Sequence, residues 1–430
     1  MFGKFWLVSL LYAASSVLIL SGCSTEHYKA QADQEVYKII DCKWQDSFGI
    51  KANYRISDAP PSPNDIQIDE ILTKSHILTL AQAVALATAQ NIDYQLQKEA
   101  LYRTALTLTG ERYKYALQWF GTIDGTYVDD KSKTGEDDVS IEASIGVNKT
   151  QLLLDGVLVN ASIALDWVRF LTGDPRASLG SVLSGDLTVP LLGAGAGKVA
   201  REELTQAERN VLYQIRSFNR YRQSFVVSII NDYYNVLQLK DEVTNARNNY
   251  NRLLESKKRL EIQVEAGQAR PFDVDEAKQQ VLIAENTWVT AQQRYEQALD
   301  QFKRRLFLPI DMDVELDPNE LGALRRMGIS EPNYTLEQAI KTALTKRLDL
   351  ANSRDAVEDA ARKVELAAEG LGVQLNLIGS ANVTSSPDNP QSARLQFHRG
   401  IYSLGWQADL PFSRKAQRNA YREALITLIQ

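Results

Sequence analysis

Two groups of residues invite a chemical reading. Gly193-Ala-Gly195-Ala-Gly197-Lys198 is a glycine-rich run ending in lysine, the composition of a loop that wraps a phosphate in backbone N–H groups. The spacing fails. That loop needs glycine at 192 and Ser or Thr at 199, and the chain has Leu192 and Val199. A flexible joint between a strand and a helix accounts for the run. His27, His76 and His398 are far apart and have no Cys or carboxylate partner at ligand spacing, so they do not make a metal site. A hydrolase triad fails for the same reason. No catalytic residue, metal or cofactor is assigned, and the chain reads as a non-enzyme.

Cys23 is the residue with the most specific context. Lys4 supplies a short positive start, Phe5 to Leu20 is apolar apart from three serines, and Leu20-Ser21-Gly22-Cys23 follows. This looks like a lipoprotein signal peptide over residues 1–22, cleaved before a thioether-lipidated Cys23. Cys42 is then the only other cysteine, and no intrachain disulfide can form.

The chain has 430 residues, 44% hydrophobic and 24% charged, with a net charge of −6. That balance gives no electrostatic case for nucleic acid. Beyond the signal no apolar run reaches the length of a transmembrane helix. If the protein spans a membrane, strands closed into a barrel must do it, since lipid offers no partner to an unpaired backbone group.

The dominant element is Val199 to Leu308, which reads as two very long helices folded back at Gly267-Gln-Ala-Arg-Pro271. Val211, Phe218, Phe225, Leu239, Ala246, Leu253 and Leu260 recur every seven residues, interleaved with Ile215, Ile229, Val236, Val243, Tyr250 and Val264. Only Arg222, Asp232 and Lys257 interrupt this heptad seam. On the return, Val274, Val281, Trp288, Tyr295 and Phe302 alternate with Ala277, Ala284, Ala291 and Ala298. Large residues facing alanines let two backbones approach closely. Gly267 suits a left-handed helix end and Pro271 a first turn. Asp273, Asp275 and Glu276 complement the positive end of the second helix. A helix over 198–266 would span roughly 100 Å at 1.5 Å per residue, longer than a compact domain requires.

An internal repeat sets the architecture. Thr79-Leu-Ala-Gln-Ala83 matches Thr335-Leu-Glu-Gln-Ala339, and Ala87, Asp93, Ala100 and Ala105 match Ala343, Asp349, Ala356 and Ala361 without a gap. Each copy begins with a helix, the first capped by Thr79 and carrying Ala83, Leu86, Ala87, Ile92, Leu96, Ala100 and Ala105. Each runs on into strands of period two, around Leu117 to Tyr127 and Val373 to Val383, as in a barrel that is apolar outside and polar inside. A closing strand ends at Pro190 in one copy and Pro411 in the other, and a long helix follows. Measured from these prolines, the first copy holds 35 extra residues. They include two alternating stretches, Val139 to Val147 and Val157 to Trp167, which fit either barrel strands or an extended loop hairpin. The organisation is thus a signal (1–22), an N-terminal segment (23–77) with a short helix near Asp33 to Ile40 and a linker at 59–63, a first repeat (78–308), a linker (309–333) packing around the middle of the rod, and a second repeat (334–430). The second repeat stops at the start of its long helix, so a further hairpin of about 100 residues, by analogy with the first repeat, is expected beyond it.

These elements resemble the TolC-like outer-membrane efflux proteins. The resemblance covers Leu78 to Gln430 and rests on the repeated Thr-Leu-x-Gln-Ala start, the strand–Pro–long-helix passage, and the hairpin text Arg259, Gly267, Asp273-Val274 and Ala277. It implies an α+β membrane protein in which coiled-coil hairpins form an α-barrel tunnel joined to a transmembrane β-barrel. The barrel would be completed by a homotrimer, twelve strands in all and four per chain. It implies a passive exit duct of a tripartite efflux pump or type I secretion system, working with a periplasmic membrane-fusion adaptor and an inner-membrane transporter. The Gly267 turn would be the periplasmic tip that docks the adaptor and helps close the tunnel, with Asp273, Asp275 and Arg270 in inter-helix polar contacts. Lipidation at Cys23 fits lipid-anchored members of an outer membrane. Trp119, Trp167, Tyr402 and Trp406 would suit an interfacial aromatic girdle. Two rivals, a membrane-fusion adaptor and a structural periplasmic coiled-coil lipoprotein, share the coiled coil and the anchor but have no need of the duplicated helix–strand unit.

Overall fold

The computed structural model describes residues 24–57, 77–131, 137–170, 177–193, 197–329, 331, 333–385, 394–410 and 412–430, with the side chains of 128–141 and 168–178 outside that description. The signal segment, Cys23, the 59–63 linker, His76, Gly195 and Pro411 lie outside the described residues. Contacts divide the chain into two compact units. One takes the described parts of Met1–Lys43, Arg103–Tyr213 and Leu350–Gln430, the other those of Trp44–Tyr102 and Gln214–Asp349. Neither unit coincides with a sequence repeat, because each unit takes elements from both copies.

The first unit holds a six-stranded antiparallel sheet, in the order β2 (Gln118–Lys131), β3 (Asp137–Leu152), β4 (Leu158–Phe170), β5 (Ala177–Leu192), β7 (Gln374–Thr384) and β8 (Ile401–Asp409). The two alternating stretches in the extra 35 residues are β3 and β4, fully paired inside this sheet. The two repeats meet at β5–β7, where Leu183 lies opposite Val383. Pro190 does not end β5, as the sequence reading had it. The strand runs on to Leu192, and the register slips between Pro190 and Leu192, because proline has no N–H to give the ladder. Gly193 then leaves the strand at φ 94°, where an added Cβ would sit 2.9–3.0 Å from the chain at Val373 and Gln374. The sheet is accompanied by α1 (Thr25–Lys43), which is longer than the short helix read from the sequence and buries Val36, Ile39 and Ile40.

Helices α3 (Ile92–Lys114), α4 (Lys198–Glu265) and α8 (Leu348–Glu369) contribute residues to both units. The helix expected to start at Thr79 and continue past Ala100 is two helices. Thr79 caps α2 (Leu80–Gln90) with a full capping box, its hydroxyl accepting from the Gln82 N–H and the Gln82 side chain accepting from the Thr79 N–H. The chain breaks at Asn91, whose extended backbone and side-chain bond to the Tyr94 N–H (3.1 Å) cap α3. The second copy repeats this. Thr335 caps α7 (Leu336–Lys346), and Arg347 is extended before α8. A helix of strong formers is interrupted because Asn91 offers its first turn a better acceptor than the helix would.

In the second unit α4 buries Ile215, Phe218, Phe225, Ile229, Tyr233, Val236 and Leu237, a helical stripe in line with the heptad. Beyond it, Tyr250 stacks on Trp288 of α5 (Pro271–Arg305), ring centres 5.7 Å apart. Val274, Val281, Ala284 and Phe302 are the buried residues of the α5 seam. The 309–333 segment carries structure of its own. Strand β6 (Glu315–Leu316) pairs in parallel with β1 (Ile77–Leu78), and α6 (Asn319–Met327) follows. The buried Tyr233 hydroxyl locks this pair to α4, donating to the Leu78 carbonyl at 2.9 Å and accepting the Asp317 N–H at 3.2 Å. Last in the chain is α9 (Lys415–Ile429), in the first unit.

Candidate functional site

The register of the sheet fixes which side chains share a face, since residues directly opposite across antiparallel strands point the same way. One face reads Ile123–Ile145–Leu165 across β2 to β4, Val147–Ile163–Leu183–Val383 across β3 to β7, and Leu187–Gly379–Leu404 across β5 to β8. The other reads Asp124–Ser144–Asp166, Asn148–Ser162–Ser184–Asn382, and Asp186–Ser380–Ser403. Hydroxyl pairs on the polar face confirm the alignment, with Ser162 and Ser184 2.5 Å apart and Ser380 and Ser403 2.7 Å apart. The alternation holds in phase from β2 to β8.

Most of the apolar face is uncovered; Ser181 and Val383 are the buried exceptions among its described residues in β5 and β7. Trp119 is 62% exposed, Ile123 68%, Leu404 77% and Trp406 74%, and Ile145, Ile163 and Leu165 are exposed as well. An apolar surface of this extent marks a face that another protein or a membrane covers. Trp119, Trp167, Tyr402 and Trp406 all lie on this face, and Trp119 and Tyr402 fall in one row across the sheet. At the start of β2 the Lys149 ammonium stands 5.6 Å from the Trp119 ring centre. The polar face carries Asp124, Glu142, Asp166, Asp186 and Asp409, and no Lys or Arg of the described strand residues shares it. The sequence reading missed this acidic row, although the alternation around Trp167 contains Asp166.

The helical tip is built from local bonds. Gly267 takes φ 69°, its N–H reaching the Val264 carbonyl at 3.0 Å while the Gln268 N–H reaches Gln263 at 2.8 Å. This is the paired-bond ending that satisfies the last carbonyls of a helix. Asp273 accepts the Arg270 N–H at 3.1 Å and its guanidinium at 3.0 Å, closing the start of α5. The Arg270 side chain and backbone together hold the Asp273 carboxyl below the usual carboxylate range. Asp275 pairs with Lys278 at 3.1 Å along the same helix. Within one chain, these acids serve their own helix.

A charge cluster in the first unit also escaped the sequence reading, because its members lie in different repeats. Asp359 of α8, only 4% exposed, accepts from Tyr213 (2.7 Å), Gln206 (3.1 Å) and Arg362 (2.8 Å), and pairs with Arg209. Arg362 also grips Glu202 with two bonds, 2.8 and 3.1 Å. Burial opposes ionisation of Asp359, but the bonds from Tyr213, Arg362 and Gln206 outweigh it and hold the carboxyl below its usual range. Burial and the neighbouring carboxylate push the Tyr213 hydroxyl up to about 12. The cluster binds α4 to α8 and presents no open face for chemistry. Among the described residues, no group of three or more His, Cys, Asp or Glu could hold a metal ion, and no helix is long and apolar enough to cross a membrane.

In the chain, four strands of the two-faced antiparallel sheet precede a 68-residue helix and its return and two follow, a fold like that of solved outer-membrane channels. No family model and no curated protein matches the sequence. Solved structures do match. CusC, studied for folding and transmembrane channel formation, aligns with a TM-score of 0.53 at 13% identity, over 89% of this chain and 77% of that one. The outer-membrane channel OprN aligns at 0.54 and 15%, over 88% and 77%. The CmeC outer-membrane channel of Campylobacter jejuni aligns at 0.53 and 13%, over 90% and 71%. At these identities the likeness is one of fold.

Proposed function

We propose that this chain is a subunit of an outer-membrane channel, the passive exit duct of a tripartite efflux pump or type I secretion system. Three copies close their sheets into one β-barrel, apolar face to lipid and polar face to water. Their long hairpins line a helical tunnel. The observation that carries this reading is the largely exposed apolar face to which all six strands contribute, backed by the polar face opposite. Six strands cannot close on themselves, since about eight is the smallest barrel in a membrane. Trp119 and Tyr127, on one face of β2, stand about 26 Å apart along the strand, or about 20 Å along the membrane normal at a usual tilt, which fits an aromatic residue at each border of the apolar band.

In this proposal residues 1–22 are removed, Cys23 carries the lipid anchor, and 78–308 and 334–430 are the duplicated halves flanking the 309–333 linker. The Gly267 tip, with Arg270, Asp273 and Asp275, meets a periplasmic membrane-fusion adaptor. Opening is driven by an inner-membrane transporter through splaying of the tip helices. An adaptor or a structural coiled-coil lipoprotein has no use for an exposed apolar sheet. The test is reconstitution of the purified full-length protein in a planar lipid bilayer. Step currents and a trimer that dissociates on heating are the expected result. A monomer in detergent that passes no current overturns the proposal.

A further inference from the structure

We infer that the barrel formed by this chain has eighteen strands, six from each of three copies, because the β3–β4 hairpin is part of its wall. The inference rests on the channel reading above and departs from the four strands per chain that the resemblance implies.

Three observations carry it. First, β3 and β4 are not an appendage. β3 pairs with β2 from Gln118↔Thr150 to Lys131↔Asp137, and β4 pairs with β5 from Leu158↔Thr188 to Arg169↔Ala177. A hairpin lying outside the wall would pair only with itself, and β2 and β5 would then face each other. Second, the faces stay in phase. Ile145 and Ile163 continue the apolar rows of Ile123 and Leu183, while Asn148 and Ser162 continue the polar row of Ser184 and Asn382. The register slip at Pro190 to Leu192 lies outside these rows, and a one-residue slip within them would exchange the faces. Third, the sheet ends in two open edges, β2 and β8. All neighbours are antiparallel and the number of strands is even, so β8 of one copy meets β2 of the next antiparallel as well. The same joint then repeats around a ring, and no backbone edge is left in hydrocarbon.

The functional consequence is width. At a strand spacing of about 4.8 Å and a tilt of about 40°, eighteen strands give a wall about 36 Å across, against about 24 Å for twelve. The hairpin also brings Glu142 and Asp166 to the wet face, beside Asp124, Asp186 and Asp409 of the other strands.

Electron cryomicroscopy of the full-length protein in lipid nanodiscs reads copy number, strand number and wall diameter together. Eighteen strands in a trimer are expected. In a Cys42→Ser background, Ile145→Cys and Ile163→Cys should react with an apolar maleimide and resist a membrane-impermeant one, and Asn148→Cys and Ser162→Cys should do the reverse. A conducting trimer with a twelve-stranded wall, impermeant labelling at Ile145 and Ile163, or a conducting ring of another copy number overturns the inference while the channel reading stands. Monomers without current remove both.

Discussion

The Tyr213 hydroxyl donates to the Asp359 carboxylate at 2.7 Å, and that bond joins the first copy of the duplicated unit to the second. Arg209, Gln206 and Arg362 converge on the same carboxylate. Removing the centre of such a cluster takes away an acceptor of Tyr213 and Gln206 and a counter-charge of two arginines, while Arg362 keeps Glu202 and Arg209 keeps Glu358. Asp359→Ala should therefore cost about 3 kcal/mol in urea unfolding followed by helical circular dichroism. The pH dependence has a definite sign. A carboxyl held below its usual value stabilises the fold above the unfolded pKa, about 3.9, and loses that contribution as the pH falls through the folded value. Stability should drop below about pH 4 in the wild type, with a shallower drop in Asp359→Asn. Equal acid sensitivity in the two proteins would remove Asp359 from the account.

Two glycines test what a methyl group costs in different surroundings. Gly193 combines φ 94° with backbone 3.0 Å from an added Cβ, whereas Gly267 has φ 69° and open space around it. Gly193→Ala should cost about 2–3 kcal/mol and depress the yield of folded protein, and Gly267→Ala about 1 kcal/mol. Thermal unfolding compares them directly, and an equal loss in both would contradict the crowding seen at Gly193.

Tyr233→Phe removes one hydroxyl that both donates to Leu78 and accepts from Asp317. Burial pushes that hydroxyl well above its usual pKa, so it remains a donor at any physiological pH. The loss should be about 1–2 kcal/mol. Hydrogen exchange at the Asp317 amide should quicken, with exchange in α5 near Trp288 unchanged. A uniform change across the helices would point to a general loss of packing instead.

Asp124 and Asp166 flank Ser144 in one row of the polar face. In a closed barrel they line the water path and favour cations. The paired substitution Asp124→Asn with Asp166→Asn should shift the reversal potential in a salt gradient toward zero without abolishing current. An unchanged potential would place these acids away from the conducting path.

Much of this was legible because it is periodic or local. The heptad from Val211 to Val264 is visible in the text; its part from Val211 to Val236 matches the stripe that α4 buries, and from Leu239 to Val264 its members are half-buried. Thr79 and Thr335 cap their helices through a glutamine three residues on, a pattern that needs no tertiary partner. The strand alternation in the second copy is likewise a near-neighbour signal. What escaped depends on residues far apart. The break at Asn91 uses a side chain that also reaches the Arg305 carbonyl. Asp359 draws partners from α4, well over a hundred residues upstream.

By itself, then, the sequence determined that the chain is duplicated, that its helices are long and folded back at Gly267, and that its strands have one apolar side. Each of these follows from residue type at a fixed spacing. Tertiary structure alone decided that β3 and β4 belong to the same sheet as β2, β5, β7 and β8, and that the acids Asp124 and Asp166 share a row. Alternation fixes the face of a residue along one strand. Only the hydrogen-bond ladder, whose partners are set by the fold of the whole sheet, fixes which strand stands beside it.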